Sequence, residues 1–311
     1  MAGDKIVYIG MEETGFACLE KLLSMGCHIL KVYTIDEHFK NDIVAFKSFR
    51  SLEKKFGIKI AKVRNINDKS ISLEIRRLRP DLIYIVSWSQ LVPKDILKIP
   101  SLGSVGFHAS LLPRHRGRAP IPWSIIFGLR KSGVTMFYVT ENPDAGDIIG
   151  QKEFNIDLED NAYTVYKKVE QYAVDLLEKY HQLILEGKAP RLKQPNRDFD
   201  YWPRRLPSDG YIDWNKSVVH IYDWIRALTY PFPGAFTYYR ERKLYIWKAE
   251  IFSYQGDFEP ARIYLKKSRK GLVVGTAYGA INLKQAQFNN GGKLIGSDLL
   301  TQIDHKYPYF E

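Results

Sequence analysis

Residues 103–120 read Gly-Ser-Val-Gly-Phe-His-Ala-Ser-Leu-Leu-Pro-Arg-His-Arg-Gly-Arg-Ala-Pro and hold the densest chemistry in the chain. His108 closes a short apolar run and is followed by a small-residue turn, where a general acid or base would stand. Arg114, Arg116 and Arg118 fall within five residues beside Gly117. Guanidinium forks on so short a loop suit phosphate or carboxylate groups, though they could equally pair with the protein's own carboxylates. A second segment, Glu141-Asn-Pro-Asp144-Ala-Gly-Asp147, follows the next apolar run. Its carboxylates and Gly146 could simply form a capping turn, or one carboxylate could pair with His108 and set its tautomer. After the first apolar run comes Gly10-Met-Glu-Glu-Thr-Gly15, which lacks the G-x-G-x-x-G spacing, so dinucleotide binding has little support. No His, Cys and carboxylate set has metal-ligand spacing, and no metal is expected.

The elements that must position these residues alternate. Ile6–Ile9, Ile29–Tyr33, Ile58–Val63, Leu82–Val86, Gly103–His108 and Val134–Val139 read as strands. Gly15–Leu23, Ile43–Phe56, Ile71–Leu78 and Leu91–Ile99 have helical spacing. This alternation predicts a doubly wound, mostly parallel α/β sheet whose ligands lie beyond the strands' carboxyl ends. The segments to watch are then Gly10–Thr14, Ser87–Val92, His108–Pro120 and Thr140–Asp147. Asn161–Glu186 predicts a long helix ending at Gly187. Residues 189–209, with Pro190, Pro195, Pro203 and Pro207, form the linker candidate, although Tyr201 and Trp202 suggest that it packs on something. Beyond it, one helix (Val218–Leu228) and five short strands (Ala235–Tyr239, Leu244–Phe252, Ala261–Tyr264, Leu272–Thr276, Ala280–Gln287) suggest a small open β-barrel. The expected division is a catalytic domain over 1–200 and a β-rich, OB-like domain over 201–311.

The chain has 311 residues with 46 Lys+Arg against 35 Asp+Glu, a formal charge of +11, which raises the question of a nucleic-acid or polyanionic partner. Residues 201–311 carry 16 basic and 10 acidic side chains, residues 1–200 carry 30 and 25, so the surplus is dispersed. The densest basic cluster is Lys266, Lys267, Arg269 and Lys270, for which a solvated face is an equal explanation. No apolar stretch approaches the roughly 18 residues of a spanning helix, and the N-terminus lacks a signal-peptide layout. Two cysteines, Cys18 and Cys27, exclude a disulfide scaffold and fit a reducing, cytoplasmic setting without a membrane.

Taken together, His108-Ala-Ser-Leu-Leu-Pro-x-x-Arg-Gly and Asp144-Ala-Gly-Asp, 36 residues further on, resemble the 10-formyltetrahydrofolate-dependent formyltransferases. Arg204-Arg205-Leu-Pro-Ser-Asp and Trp224-Ile-Arg-Ala-Leu…Pro233-Gly-Ala-Phe are similar to the junction and C-terminal domain shared by the tRNA and sugar-nucleotide members. The resemblance places His108 and Asp144 on two members of the family's Asn-His-Asp triad. In that chemistry an amine attacks the formyl carbon, the imidazolium donates to the developing oxyanion, and the carboxylate holds the imidazolium and helps to take the amine proton. The triad's first position is Gly106 here, where the family has Asn. Losing one such donor typically costs about 2.7–4 kcal/mol of activation free energy, unless Ser89, Ser104, Ser110, Asn142 or a water replaces it.

The resemblance implies 10-formyltetrahydrofolate as cofactor, held by Trp88, Gln90, Leu91, Val92, Glu141, Asn142 and Asp144. Trp88 could stack on the pterin or belong to the core. It implies a substrate set of Met11, Glu12, Ser110, Arg116, Arg118, Arg204 and Arg205. The stretch Thr34–Phe49, where tRNA enzymes carry a basic loop, is near neutral in charge. Arg118 stands where tRNA enzymes tend to have Ala and is similar to the arginine that a sugar-nucleotide member uses near its nucleotide. A nucleotide-linked amino sugar is therefore the expected partner, with polysaccharide synthesis as the setting. tRNA is the alternative acceptor, a non-catalytic binding relative is the other, and a homodimer stays open.

Overall fold

Short β-branched runs closed by glycine or a turn form the strands of the first half, and the leucine- and isoleucine-spaced segments between them form the helices. In a computed structural model, residues 4–311 are described except 196, 198, 254–255, 266–270 and 305. The basic cluster at 266–270 thus lies outside the described residues. The first elements are β1 (Ile6–Gly10), α1 (Glu12–Ser24), β2 (Ile29–Ile35), α2 (Arg50–Phe56), β3 (Ile60–Val63), α3 (Lys69–Leu78), β4 (Leu82–Val86) and α4 (Lys94–Leu97). There follow β5 (Ser104–His108), β6 (Arg116–Gly117), α5 (Pro120–Ile126), β7 (Lys131–Tyr138), β8 (Ile148–Asn155), α6 (Ala162–Leu185) and β9 (Tyr201–Trp202). The last are α7 (Val218–Leu228), β10 (Ala235–Tyr239), β11 (Arg242–Ile251), β12 (Leu272–Gly275), β13 (Ala280–Phe288), β14 (Lys293–Ile295) and α8 (Asp298–Thr301).

Two compact units arise. The first comprises residues 1–120, 131–155 and 166–203, and the second comprises 121–130, 156–165 and 204–311. The first unit is built on a seven-stranded sheet in the order β3-β2-β1-β4-β5-β7-β8. Its strands are parallel from β3 to β5, while β7 and β8 pair antiparallel. Helices cover both faces, as the alternation predicts. On one, α6 is tied to the sheet by Tyr84 Oη and His181 Nδ1 at 2.9 Å and to α1 by the Lys21–Glu178 ion pair. On the other, Ile71 and Ile75 of α3 and Ile96 of α4 pack with Val7, Ile9, Tyr33 and Ile83. The strand order reverses at β1 and β4, where a crevice at the carboxyl ends is expected.

Sequence and structure part in a few places. The helix expected over 43–56 forms only as α2, after a 3-10 turn at Glu37–Asp42. The helix expected over 91–99 shortens to α4 because Pro93 sits at its N-cap. β8 and α5 carry no clear pattern in the sequence: β8 interrupts its apolar residues with Gly150-Gln-Lys-Glu. In the second unit, β10, β11, β13 and β12 form an antiparallel sheet with β14 beside β13. Residues 261–264, expected as a strand, make only isolated bridges from Arg262 and Ile263. Arg226 of α7 explains why 156–165 belongs to this unit. Buried beside Asp223, it donates from Nη1 to the carbonyls of Asp157 and Asp160 at 3.1 and 2.6 Å.

Candidate functional site

Alternation along β5 puts Ser104, Gly106 and His108 on one face of the sheet. Ser104 Oγ donates to Leu97 O, so this is the face covered by α4. His108 is 8% exposed, and both ring nitrogens face oxygen. Nε2 lies 2.7 Å from His115 O, and a carbonyl can only accept, so Nε2 carries a hydrogen. Nδ1 stands 3.6 Å from Asp144 Oδ1, an ion-pair separation longer than a hydrogen bond. Nε2 is thus hydrogen-bonded inside the protein, while Nδ1 faces a carboxylate without being hydrogen-bonded to it. Asp144 is oriented by its other oxygen, which accepts from Gly117 N at 2.9 Å.

Linker residues hold this constellation from behind. Gln194 Nε2 donates to the carbonyls of Asp144 and Gly146, both at 2.8 Å, and fixes the turn that carries the carboxylate. Gln194 Oε1 accepts from Arg116 Nε and Nη2 at 3.2 and 2.7 Å. Arg116 is 5% exposed, with Phe199 4.5 Å from its guanidinium. Arg116, expected to meet a ligand, is here buried with Nε and Nη2 turned to Gln194. β9 pairs with β6, and a Cβ at Gly117 (φ +100°) would meet Trp202 O at 2.4 Å, so only glycine lets the two segments approach. Asp200 Oδ1 accepts from His115 N, and Asp200 Oδ2 lies 3.0 Å from His115 Nδ1.

The remaining candidates fall in several places. Gly106 is tightly enclosed: a Cβ there would meet Val139 Cγ2 at 2.9 Å and Ile85 O at 3.0 Å, so a neighbour would have to shift to admit a side chain. Ser110 is fully buried and donates to Arg114 O, so it shapes the turn. Gln90 is spent between Ile66 N and Arg64 O. Glu141 pairs with Lys94, and Asn142 O accepts from Thr140. Met11 is buried, while Arg118 and Arg204 are exposed. In the second unit, Arg205 lies 4.6 Å from the rings of both Trp123 and Trp224, and burial draws its guanidinium below its ordinary value against the pull of Asp209. Burial raises the Glu12 carboxyl to about 8, opposed by a hydrogen bond with Tyr166.

Glu12, Ser87, His115, Ala119 and Asp144 are all non-glycine residues with φ between +50° and +67°. Such strain gathers at functional sites, where surrounding contacts hold it in place. The loop after β4 fits a folate-like group. Trp88 and Val92 pack on the same face as His108, and Trp88 Nε1 is buried without an acceptor among the described residues. Leu91, at the tip, is 66% exposed. Among the described residues no three His, Cys, Asp or Glu side chains gather as a metal site. Sequence reasoning missed His115, Gln194, Asp200 and Trp202, of which only Trp202 carried a signal, as an aromatic in a linker.

Comparison with known proteins identifies the chain's relatives. Residues 27–179 match the formyl transferase family and residues 206–303 its C-terminal domain. The chain is 34% identical over 306 residues to the bifunctional polymyxin resistance protein ArnA of Wigglesworthia glossinidia brevipalpis, covering 95% of this chain and 46% of that protein. It thus spans about half the length of that relative. It is 32% identical to the methionyl-tRNA formyltransferase of Clostridioides difficile, covering 94% of each. Among solved structures, the N-formyltransferase of Helicobacter canadensis with folinic acid and dTDP-3-aminofucose superposes with a TM-score of 0.69 at 19% identity, over 90% of this chain and 98% of that one. WlaRD, a sugar 3N-formyl transferase with dTDP and 5-N-formyl-THF, gives 0.68 at 20% identity, over 93% and 98%. These two likenesses concern the fold. By its full-length relatives and by both matched domains, the chain belongs to the formyltransferase family.

Proposed function

We propose that the protein transfers a formyl group from 10-formyltetrahydrofolate to the amine of a nucleotide-linked amino sugar. The observation that carries the reaction is His108, buried between His115 O and Asp144 Oδ1. The folate supplies the activated formyl carbon. As the amine bonds the formyl carbon and the carbon–N10 bond of the folate breaks, His108 Nδ1, which is not hydrogen-bonded at 3.6 Å from Asp144, would donate toward the oxygen that gains negative charge. Asp144 would balance the imidazolium, take the amine's proton and return it to N10 of the departing tetrahydrofolate. Trp88 Nε1 and the exposed Leu91 support a folate seat beside them.

The acceptor follows from charge. In the stretch after β2, Glu37 is shared by Arg50 at 2.8 Å and Lys62 at 3.1 Å, and Asp36 holds His38. Charges neutralised in this way offer little to a phosphate backbone. The exposed Arg118 and Arg114 favour a smaller anion, such as a diphosphate. A second reading, formylation of methionyl-tRNA, is favoured by relatives such as the Clostridioides difficile enzyme. Incubation with 10-formyltetrahydrofolate and either a panel of nucleotide amino sugars or initiator Met-tRNA decides between them. Transfer to a sugar is expected, and transfer to tRNA alone would reverse the assignment.

A further inference from the structure

His115 is an odd residue to find beside a catalytic imidazole. It is not glycine, yet its φ is +61°, a left-handed conformation in which its carbonyl meets His108 Nε2 at 2.7 Å. Such a conformation costs an ordinary L-residue free energy and persists only where the surroundings over-determine it. Here they do. Asp200 Oδ1 accepts from His115 N at 2.7 Å, and Asp200 Oδ2 lies 3.0 Å from His115 Nδ1. The ring lies flat on Trp202, with centroids 4.0 Å apart and planes 17° apart. Asp200 O accepts from Arg116 N, so the next peptide is held as well.

We infer that Asp200 and His115 are positioning residues for the formyl transfer: the carboxylate clamps His115 so that its carbonyl fixes the tautomer and plane of His108. The inference rests on the catalytic reading of His108. One carboxylate, Asp144, faces His108 Nδ1 directly, and a second acts on Nε2 through one residue, His115, whose N–H and carbonyl belong to successive peptides. Asp200 is suited to the task. Burial alone would raise its carboxyl, but the His115 N–H, the His115 ring and its charge outweigh burial and hold it below the usual carboxylate range. The clamp therefore stays charged throughout the neutral range.

The test uses the full chain and begins without ligands. Imidazole ¹⁵N NMR reads the His108 tautomer, with His108→Ala assigning the resonance. In the wild type, Nε2 carries the hydrogen. In Asp200→Ala the neutral ring becomes a mixture of tautomers, and Asp200→Asn, which keeps an acceptor for His115 N, restores much of the wild-type signal. In turnover, Asp200→Ala lowers kcat, by on the order of 100-fold if the ring is displaced by about 1 Å, and leaves both KM values within about twofold. His115→Phe keeps the stack and the carbonyl but loses the ring's bond to Asp200, and it falls between the two. An unchanged His108 tautomer in a folded Asp200→Ala protein overturns the inference, as does a loss confined to KM. Full activity in His108→Ala overturns the catalytic reading instead, and the NMR result separates the two failures.

Discussion

Gln194 and Asp144 are joined through the backbone: the Gln194 amide donates to the Asp144 carbonyl at 2.8 Å and equally to that of Gly146. A residue of the linker thereby sets where the carboxylate facing His108 stands. Gln194→Ala leaves two carbonyls and the buried Arg116 fork short of partners, and each buried orphan costs about 1–3 kcal/mol. The expected result is a lower melting temperature and a kcat reduced by on the order of tenfold or more. Gln194→Glu keeps the Arg116 pair but sets a carboxylate against the two carbonyls. It loses more in kcat than in stability, as thermal melts beside steady-state rates will show.

Restoring the family asparagine at position 106 is a natural experiment, and the structure predicts its cost. Its Cβ would press on Val139 Cγ2 and on the Ile85 carbonyl, and backbone yields little. Gly106→Asn is expected to destabilise by about 1–3 kcal/mol, as overpacked cores do. Val139→Ala removes one of the two close neighbours, so Gly106→Asn/Val139→Ala recovers part of the stability and turns over faster than Gly106→Asn. Equal denaturant midpoints for the two variants would contradict this packing account.

Glu12 gives a pH signature. Burial raises its carboxyl from 4.5 to about 8, the Tyr166 hydrogen bond opposing, so the folded protein keeps a proton that the unfolded chain releases. For a carboxyl raised in this sense, the stability contribution is complete below its unfolded value and is lost as pH climbs through the folded one. The urea midpoint is expected to fall between about pH 5.5 and 8.5, and Glu12→Gln, which stays neutral, flattens that slope. A slope unaltered by the substitution would assign the titration to another group.

Arg205 is expected to act on stability. It lies between Trp123 and Trp224, which stack further on Phe127 and His220. Cation–π contacts are worth about 0.5–2 kcal/mol each, so Arg205→Ala lowers the melting temperature, and Arg205→Lys, without the planar fork, recovers only part of it. The KM for the formyl acceptor stays within about twofold. A raised KM at unchanged melting temperature would return Arg205 to the substrate.

Much of this was legible in the sequence because it depends on local pattern. Ile6–Ile9 and Leu82–Val86 announce buried parallel strands, and Val218–Leu228 coincides with α7. His108 and Asp144 stand out by type and spacing and do face each other. The partners that hold them were not legible. Gln194 and Asp200 lie 50 and 85 residues from the groups they grip, in a linker without periodicity, and an amide or carboxylate there looks like any solvated residue. The partner of Arg116 was hidden for the same reason: nothing in a loop guanidinium's own sequence points to Gln194, 78 residues on.

The composition of the two units bears on how the protein can be divided. The chain passes from one to the other after residues 120, 130, 155, 165 and 203. Cutting at residue 200, where the sequence changes texture, would leave 121–130 and 156–165 attached to the wrong fragment. Those stretches carry Ile121, Ile125, Ile126, Ile156, Ala162 and Val165, all buried in the whole protein. Each fragment would thus expose apolar surface or lack part of its own core, a recipe for aggregation. A fragment meant to hold the second unit whole must therefore carry all three of its segments.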